Sequence, residues 1–185
     1  MEALTNCQSI LQSGVATSEQ ALAAFDSLEP VNLDFMTGRW KGAEIRSAHP
    51  IEGVLESSGW YGKEFIDAET VHPLLVRNGK DKVIKIAPNP FITRLTLNYP
   101  AIASNIPSPL VRLTNSLLKT EASHARLRMM EYRGTVSATM IYDDLPINDV
   151  FRKVDDSTVF GVMDYKEISQ PFFFTLRRVI EASLT

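Results

Sequence analysis

Gly38-Arg39-Trp40-Lys41-Gly42, directly after Phe35-Met36, stands at the head of a β-rich chain. A tryptophan bracketed by glycines in that place is how small up-and-down β-barrels often begin. The ring plugs one end, and the glycines let the backbone turn tightly beneath it. Such a barrel is either filled by its own side chains or holds one small ligand. Function turns on which of the two applies.

Outward from this motif the pattern is one of strands. Trp40 to Ile45, Val54 to Ser57, Gly59 to Phe65 and Val71 to Val76 read as short strands separated by Gly, Pro and charged residues. Asn78-Gly79 predicts a two-residue type I′ turn joining Leu74–Arg77 to Lys82–Ile86. In the C-terminal third, Ala125, Leu127 and Met129 alternate with Arg126, Arg128 and Met130. After Gly134, Val136, Ala138, Met140 and Tyr142 alternate with Ser137, Thr139 and Ile141. Strands over Asp149–Val154, Thr158–Tyr165 and Pro171–Val179 complete an antiparallel meander, with Asp155-Asp156-Ser157 as a turn. About eight to ten strands close most economically into a barrel, which leaves no edges.

Residues 1 to 28 read as helical. Thr5 with Gln8 and Thr17 with Gln20 have capping-box spacing, and Gly14 separates the two segments. Ala21, Leu22, Phe25 and Leu28 share one helical face, expected to pack on the barrel. Pro88, Pro90, Pro100, Pro107 and Pro109 exclude a long regular element, and Leu110 to Lys119 reads as a short helix or lid. The chain is therefore read as a single domain over 1–185. Helices occupy 1–30, the first part of the barrel 31–87, a Pro-rich helical insertion or lid 88–122, and the meander 123–180.

A net charge of −3 lacks the basic surplus that nucleic-acid binding needs. No apolar run approaches the roughly 18 residues that span a bilayer, so integral membrane insertion is not expected. The N-terminus has no secretory pattern, and a single cysteine, Cys7, fits a reducing compartment; a cytoplasmic protein is expected. One Cys and three scattered His make a closed zinc site implausible, and no cofactor is expected. Oligomeric state is not legible.

No nucleotide-binding, serine-hydrolase or zinc-protease motif is present, and no catalytic residue is assigned. Asp143, Asp144, Asp155 and Asp156 are turn formers, whereas Asp149 and Asp164 lie in or at the ends of strands. Asp164 is expected to pair with Arg152 or Lys166 or to touch a ligand. Arg128 shares a face with Met130 and Tyr132; were that face inward, a cation would meet a carboxylate or phosphate head group. Phe172-Phe173-Phe174 predicts a strand buried on both sides, under helices outside and the barrel inside.

Met36-Thr37-Gly38-Arg39-Trp40-Lys41-Gly42 followed by Gly59-Trp60-Tyr61-Gly62-Lys63 resembles the GXWXG domain family. Arg128 to Gly134, Met140 to Ile147, Phe151 to Asp155, Gly161 to Lys166 and Pro171 to Phe174 resemble the domain of unknown function usually fused to it. Together they cover most of residues 20 to 178. Glu167 stands where the pattern tends to have glycine, which bears on a tight turn there. The Gly-X-Trp-X-Gly start is also similar to that of calycin barrels, namely lipocalins, fatty-acid-binding proteins and nitrobindin-like haem proteins. That likeness implies a calycin-like fold and transfers no activity.

The reading that follows is a barrel binding a small hydrophobic or amphipathic ligand, a lipid or fatty acid. Trp40, Tyr61, Met130, Tyr132, Tyr142 and Phe173 are expected as wall, and Arg128, Arg152, Lys166 and Asp164 as polar contacts. Three alternatives stand beside it. One is an enzyme using Asp164, Arg152 or Tyr142 in acid–base chemistry. Another is a haem protein with His49, His72 or His124 as axial ligand. The last is a filled barrel acting as an interaction module, with helix 18–28 or an exposed strand as its contact surface.

Overall fold

The computed structural model describes residues 2–79, 82–99, 102 and 105–180. In chain order the first half holds α1 (Glu2–Ser13), α2 (Ser18–Asp26), β1 (Glu29–Pro30), α3 (Leu33–Met36) and β2 (Gly38–Ile45). Next come α4 (Val54–Ser57), β3 (Trp60–Phe65), β4 (Val71–Arg77), β5 (Val83–Lys85), α5 (Pro90–Asn98) and α6 (Ser108–Leu117). The meander is β6 (Ala125–Tyr132), β7 (Thr135–Tyr142), β8 (Ile147–Asp155), β9 (Thr158–Tyr165) and β10 (Ile168–Arg178). Strands β2, β3, β4, β6, β7, β8, β9 and β10 pair in that order, and β10 returns to β2, so eight antiparallel strands close a barrel. The closing register runs from Phe173 opposite Ile45 to Arg178 opposite Trp40.

One seam is thin. Strands β4 and β6 meet at Val71 and Ala125 alone, while β5 occupies the rest of the β4 edge. The chain leaving α6 runs along β5, with Ala87 N–H donating to the Leu118 carbonyl and Thr120 N–H to the Lys85 carbonyl.

Trp40 seals one end. Its ring is fully buried, its Nε1–H donates to the Met36 carbonyl at 2.7 Å, and the Arg178 guanidinium lies 4.2 Å from its ring centroid. Arg178 in turn donates to the Phe35 carbonyl at 2.6 Å, tying β10 to the turn before β2. The two glycines that matter most are explained by close approach. A Cβ at Gly42 would fall 2.1 Å from Cη2 of Trp60, so the bare backbone of β2 is the bed on which that ring lies. Gly62 has φ +153°, and a Cβ there would fall 1.9 Å from the Trp40 carbonyl oxygen.

Apolar layers lie on both faces of the barrel wall. Inside are Phe65, Leu127, Met140, Phe151, Phe172 and Phe174. Outside, Ile45, Val150, Phe160, Val162 and Phe173 pack beneath α1 and α2. The predicted double burial of Phe172-Phe173-Phe174 is what the strand shows, with Phe173 on the helix side. Thr17 and Gln20 form the expected capping box, and Ala21, Phe25 and Leu28 bury the expected face of α2. That face is buried against the barrel. Cys7 is buried in the same layer, where burial pushes its thiol pKa up and keeps it unreactive.

Four local expectations are corrected. Val54–Ser57 is a helical turn rather than a strand, because the Glu44 carboxylate accepts from the N–H groups of Gly53 (2.8 Å) and Glu56 (2.9 Å). Thr5 lies within α1, which already runs from Glu2, rather than ahead of the helix. After Asn78-Gly79 the strands resume with Arg77 opposite Val83, and Asn78 N–H donates to the Lys82 carbonyl, so the connection exceeds two residues. At Lys166-Glu167 a tight turn does form, with Ile168 opposite Tyr165 and without positive φ, helped by Lys166 N–H donating to the Pro146 carbonyl.

On the outer wall Glu64 joins three strands, accepting from Arg39 at 2.7 Å and from Lys85 at 2.9 Å. Burial alone would raise its pKa, but the hydrogen bonds from Lys85 and Arg39 prevail and hold it below the ordinary value. A depressed folded pKa contributes stability above the unfolded value that is lost as pH falls through the folded one. Glu64→Gln is expected to cost about 1 kcal/mol at pH 7 and to lose less than wild type between about pH 5 and pH 3. Urea unfolding at the two ends of that range checks it; equal acid losses in both proteins would refute the assignment.

Candidate functional site

At the end opposite Trp40 the barrel is not filled. A cavity of about 200 Å³ lies beneath α4, α5 and α6. The strands contribute Trp60, Leu74, Val76, Tyr142, Ile147 and Met163 to its wall, and the helices contribute Val54, Ile92, Thr96, Asn115 and Leu118. A smaller chamber of about 50 Å³ shares Trp60, Leu74, Tyr142 and Met163 and adds Lys63, Asp149, Phe172 and Phe174. The larger cavity is mainly apolar, and the smaller chamber that shares part of its wall holds the buried charged groups.

The helical cover is pinned at a few points. Asn89 caps α5 by accepting from the N–H groups of Phe91 and Ile92, with Pro90 in the first helical turn. Asn115 of α6 donates to the Ser58 carbonyl at 3.1 Å, and Asn78 donates to Ser116 Oγ at 2.9 Å. The outer surface of the cover is apolar: Phe91, Leu95, Leu110, Leu113 and Leu117 are all exposed.

Those groups form a buried ion pair. Lys63 Nζ lies 2.7 Å from Asp149 Oδ2, with side-chain exposures of 4% and 2%. The ammonium also donates to the Pro73 carbonyl at 3.2 Å and to Tyr142 Oη at 3.3 Å, and it lies 5.7 Å from the Trp60 ring centroid. Burial pushes the Asp149 pKa up against the opposing pull of Lys63, and burial pushes the Tyr142 phenol well above its ordinary value. Two polar atoms on side chains of this chamber are buried without a hydrogen-bond partner: Asp149 Oδ1 and Trp60 Nε1. Strongly perturbed groups around a cavity are the physical signature of a functional site.

A bulge puts these residues together. Between β3 and β4 the register shifts on either side of Gly62, so strict alternation breaks and both Trp60 and Lys63 reach the interior. Tyr61 is left outside, half-buried, with the Arg77 guanidinium 5.5 Å from its ring centroid. In β8 the alternation holds: Ile147, Asp149 and Phe151 face inward, Val150 outward.

Of the residues singled out from sequence, Tyr142 lines the cavity. Trp40 is inside the barrel but plugs the far end. Arg128, Met130 and Tyr132 do share a face, and it is the outer one: Arg128 pairs with Glu69 at 2.8 Å, and Tyr132 packs on Phe25 of α2. Arg152 is also outside, buried under α2, with its guanidinium 5.1 Å from the Phe25 ring centroid and a bond to the Tyr132 carbonyl. Phe173 lies in the layer under the helices. Asp164 and Lys166 are exposed, and no ion pair joins Asp164 to Arg152 or Lys166 among the described residues. The acid–base trio of Asp164, Arg152 and Tyr142 is therefore dispersed.

None of the three histidines lines the cavity. His49 donates from Nε2 to the Gln170 carbonyl while Nδ1 accepts from Ile51 N–H, and His124 pairs with Asp144. Burial lowers the pKa of His49 and of His72. These positions do not fit an axial haem ligand. Among the described residues no group of three or more His, Cys, Asp and Glu is placed to hold a metal ion, and no helix is long and apolar enough to cross a membrane.

Residues 23–80 match the family described as GXWXG protein, and residues 123–178 match the domain of unknown function DUF4334. No curated protein matches the chain. A crystal structure of a protein from Thermomonospora curvata is similar throughout, with 32% identity and a TM-score of 0.72, covering 97% of this chain and all of that one. Strands β2–β4 come from the first matched segment and β6–β10 from the second, so both build the same barrel. By these matches the chain belongs to the GXWXG family, in the form that joins the GXWXG segment to a DUF4334 domain.

Proposed function

We propose that the barrel binds a small amphipathic, lipid-like molecule, its apolar body beneath α5 and α6 and its polar end at the Lys63–Asp149–Tyr142 cluster. The observation that carries this is an apolar cavity, roofed by helices with apolar exposed faces, that shares its Trp60–Tyr142 wall with a chamber holding Lys63 and Asp149. Size narrows the class. About 200 Å³ exceeds the roughly 150 Å³ that accommodates benzene in an apolar protein cavity. It is below the ~300–1,000 Å³ of sites that enclose drug-sized ligands. The cargo is therefore a compact ring or short acyl chain; a long chain needs α5 or α6 to move.

Toluene is a suitable neutral probe. Added to the protein at saturation, it is expected to shift the amide and methyl resonances of Ile92, Leu118 and Met163 and the Trp60 indole signal, leaving Trp40 unmoved. Ile92→Trp fills the cavity from the cover without touching the barrel. It is expected to weaken toluene binding at least tenfold with little change in melting temperature. Unshifted cavity resonances at toluene saturation would sink the reading.

A further inference from the structure

We propose that the polar end of the bound molecule is a neutral hydroxyl, an alcohol or phenol, and not the carboxylate of a fatty acid. This rests on the cavity reading above and specifies its ligand. The argument is one of hydrogen-bond valence. An ammonium has three hydrogens, and those of Lys63 are taken by Asp149 Oδ2, the Pro73 carbonyl and Tyr142 Oη. Lys63 therefore offers a ligand nothing further. Tyr142 accepts from Lys63, which leaves its own hydrogen to donate. Trp60 Nε1–H has no acceptor and Asp149 Oδ1 has no donor, although both atoms are buried and both side chains line the inner chamber. Two donors and one acceptor are left on side chains that line one small chamber.

A hydroxyl group has two lone pairs and one hydrogen, and it meets that set one for one. A carboxylate has no hydrogen for Asp149 and brings a negative charge beside it. Lys63 and Asp149 already cancel, so the carboxylate charge would be buried without a counter-ion, which is costly. An ammonium ligand fails on the other side, with no lone pair for Trp60 or Tyr142. A plain hydrocarbon leaves the partnerless atoms as they are.

The test compares p-cresol, p-toluate and toluene by titration calorimetry at pH 7, with the Trp60 indole N–H resonance followed alongside. p-Cresol is expected to bind at least tenfold more tightly than toluene and more tightly still than p-toluate, and to move the Trp60 N–H signal downfield. Trp60→Phe keeps the ion pair and all three partners of Lys63 and removes one donor. It is expected to reduce the p-cresol advantage severalfold while toluene affinity stays within twofold, whereas a merely structural loss would weaken both alike. If p-toluate matches or exceeds p-cresol, or if p-cresol binds no better than toluene, the hydroxyl assignment is overturned while the cavity reading stands. If none of the three binds, both fail.

Discussion

Gly62→Ala is expected to lower the melting temperature of this protein by roughly 6–12 °C or more. The Cβ it adds falls 1.9 Å from the Trp40 carbonyl oxygen and 3.0 Å from the Gly42 nitrogen, both backbone atoms of β2. Backbone cannot yield as the far end of a side chain can. The pairing of Lys41 with Gly62, the last rung between β2 and β3, would have to part. Overpacking a well-filled interior costs about 1–3 kcal/mol and occasionally more. A fixed backbone obstacle at φ +153° belongs at or beyond the upper end of that range. In a chain of this size, 3 kcal/mol corresponds to roughly 6–12 °C in melting temperature. Gly42→Ala is the informative companion. Its Cβ meets the Trp60 ring at 2.1 Å, a side chain that is able to move, so a smaller stability loss and an altered cavity wall are expected. Gly53→Ala, with open space around its Cβ and φ +79°, is expected to cost only about 1 kcal/mol. Thermal unfolding of the three variants ranks them; equal losses would refute the close-approach argument.

The second large effect concerns the ion pair inside the barrel. Lys63→Met leaves Asp149 buried with no cation, and Asp149→Leu leaves Lys63 buried with no anion. Removing one member of a buried pair typically costs about 3–5 kcal/mol, because the remaining charge is uncompensated. Replacing both with apolar residues of similar volume is often neutral or stabilising by about 1–4 kcal/mol, since two desolvation penalties vanish together. The double variant is therefore expected to unfold at or above the wild-type temperature, while each single variant melts about 10 °C or more below it. Raised acidity sharpens the contrast for the wild type. The Asp149 pKa is pushed up by burial more than Lys63 pulls it down. A raised folded pKa gives a contribution that is complete below the unfolded value and is lost as pH rises through the folded one. Wild type is thus expected to lose stability on that account as pH rises above the ordinary carboxylate range, and the double variant to lack this component. Additive single and double effects would show that the two side chains are not coupled. The double variant also separates stability from recognition: it should keep toluene binding while its preference for p-cresol falls, since the Asp149 acceptor is gone.

Much of this architecture was legible beforehand, for particular reasons. The meander from β6 to β10 follows from period-two alternation broken by Gly134, Pro146 and Asp155-Asp156; the last turn, at Lys166-Glu167, was not legible, and β10 starts at Ile168 rather than Pro171. Alternation is a local signal, and in β7 to β10 it is interrupted only near strand ends, between Ile168 and Phe172 and between Lys153 and Asp155. The capping box at Thr17 and the apolar face of α2 are equally local. The site was far less legible. Trp60 and Tyr61 are neighbours of similar character, and choosing between them requires knowing that a bulge sits at Gly62. Arg128, Met130 and Tyr132 were correctly grouped, but which side of the sheet is interior depends on where α1 and α2 dock. Lys63 gave no sign of being buried, because an isolated lysine is solvent-facing in nearly every context.

Local chemistry in the chain itself, the alternation of side chains, the glycines around Trp40 and the punctuation by Pro and Asp, was enough to specify an antiparallel barrel with helices at its start and an insertion in its middle. Tertiary structure alone decided that one end is sealed by Trp40 and the other is hollow, and that Lys63 meets Asp149 inside. Those outcomes depend on strand register and on contacts between residues as far apart in sequence as Lys63 and Asp149. Register and long-range pairing are properties of the closed tube, and no window of sequence contains them.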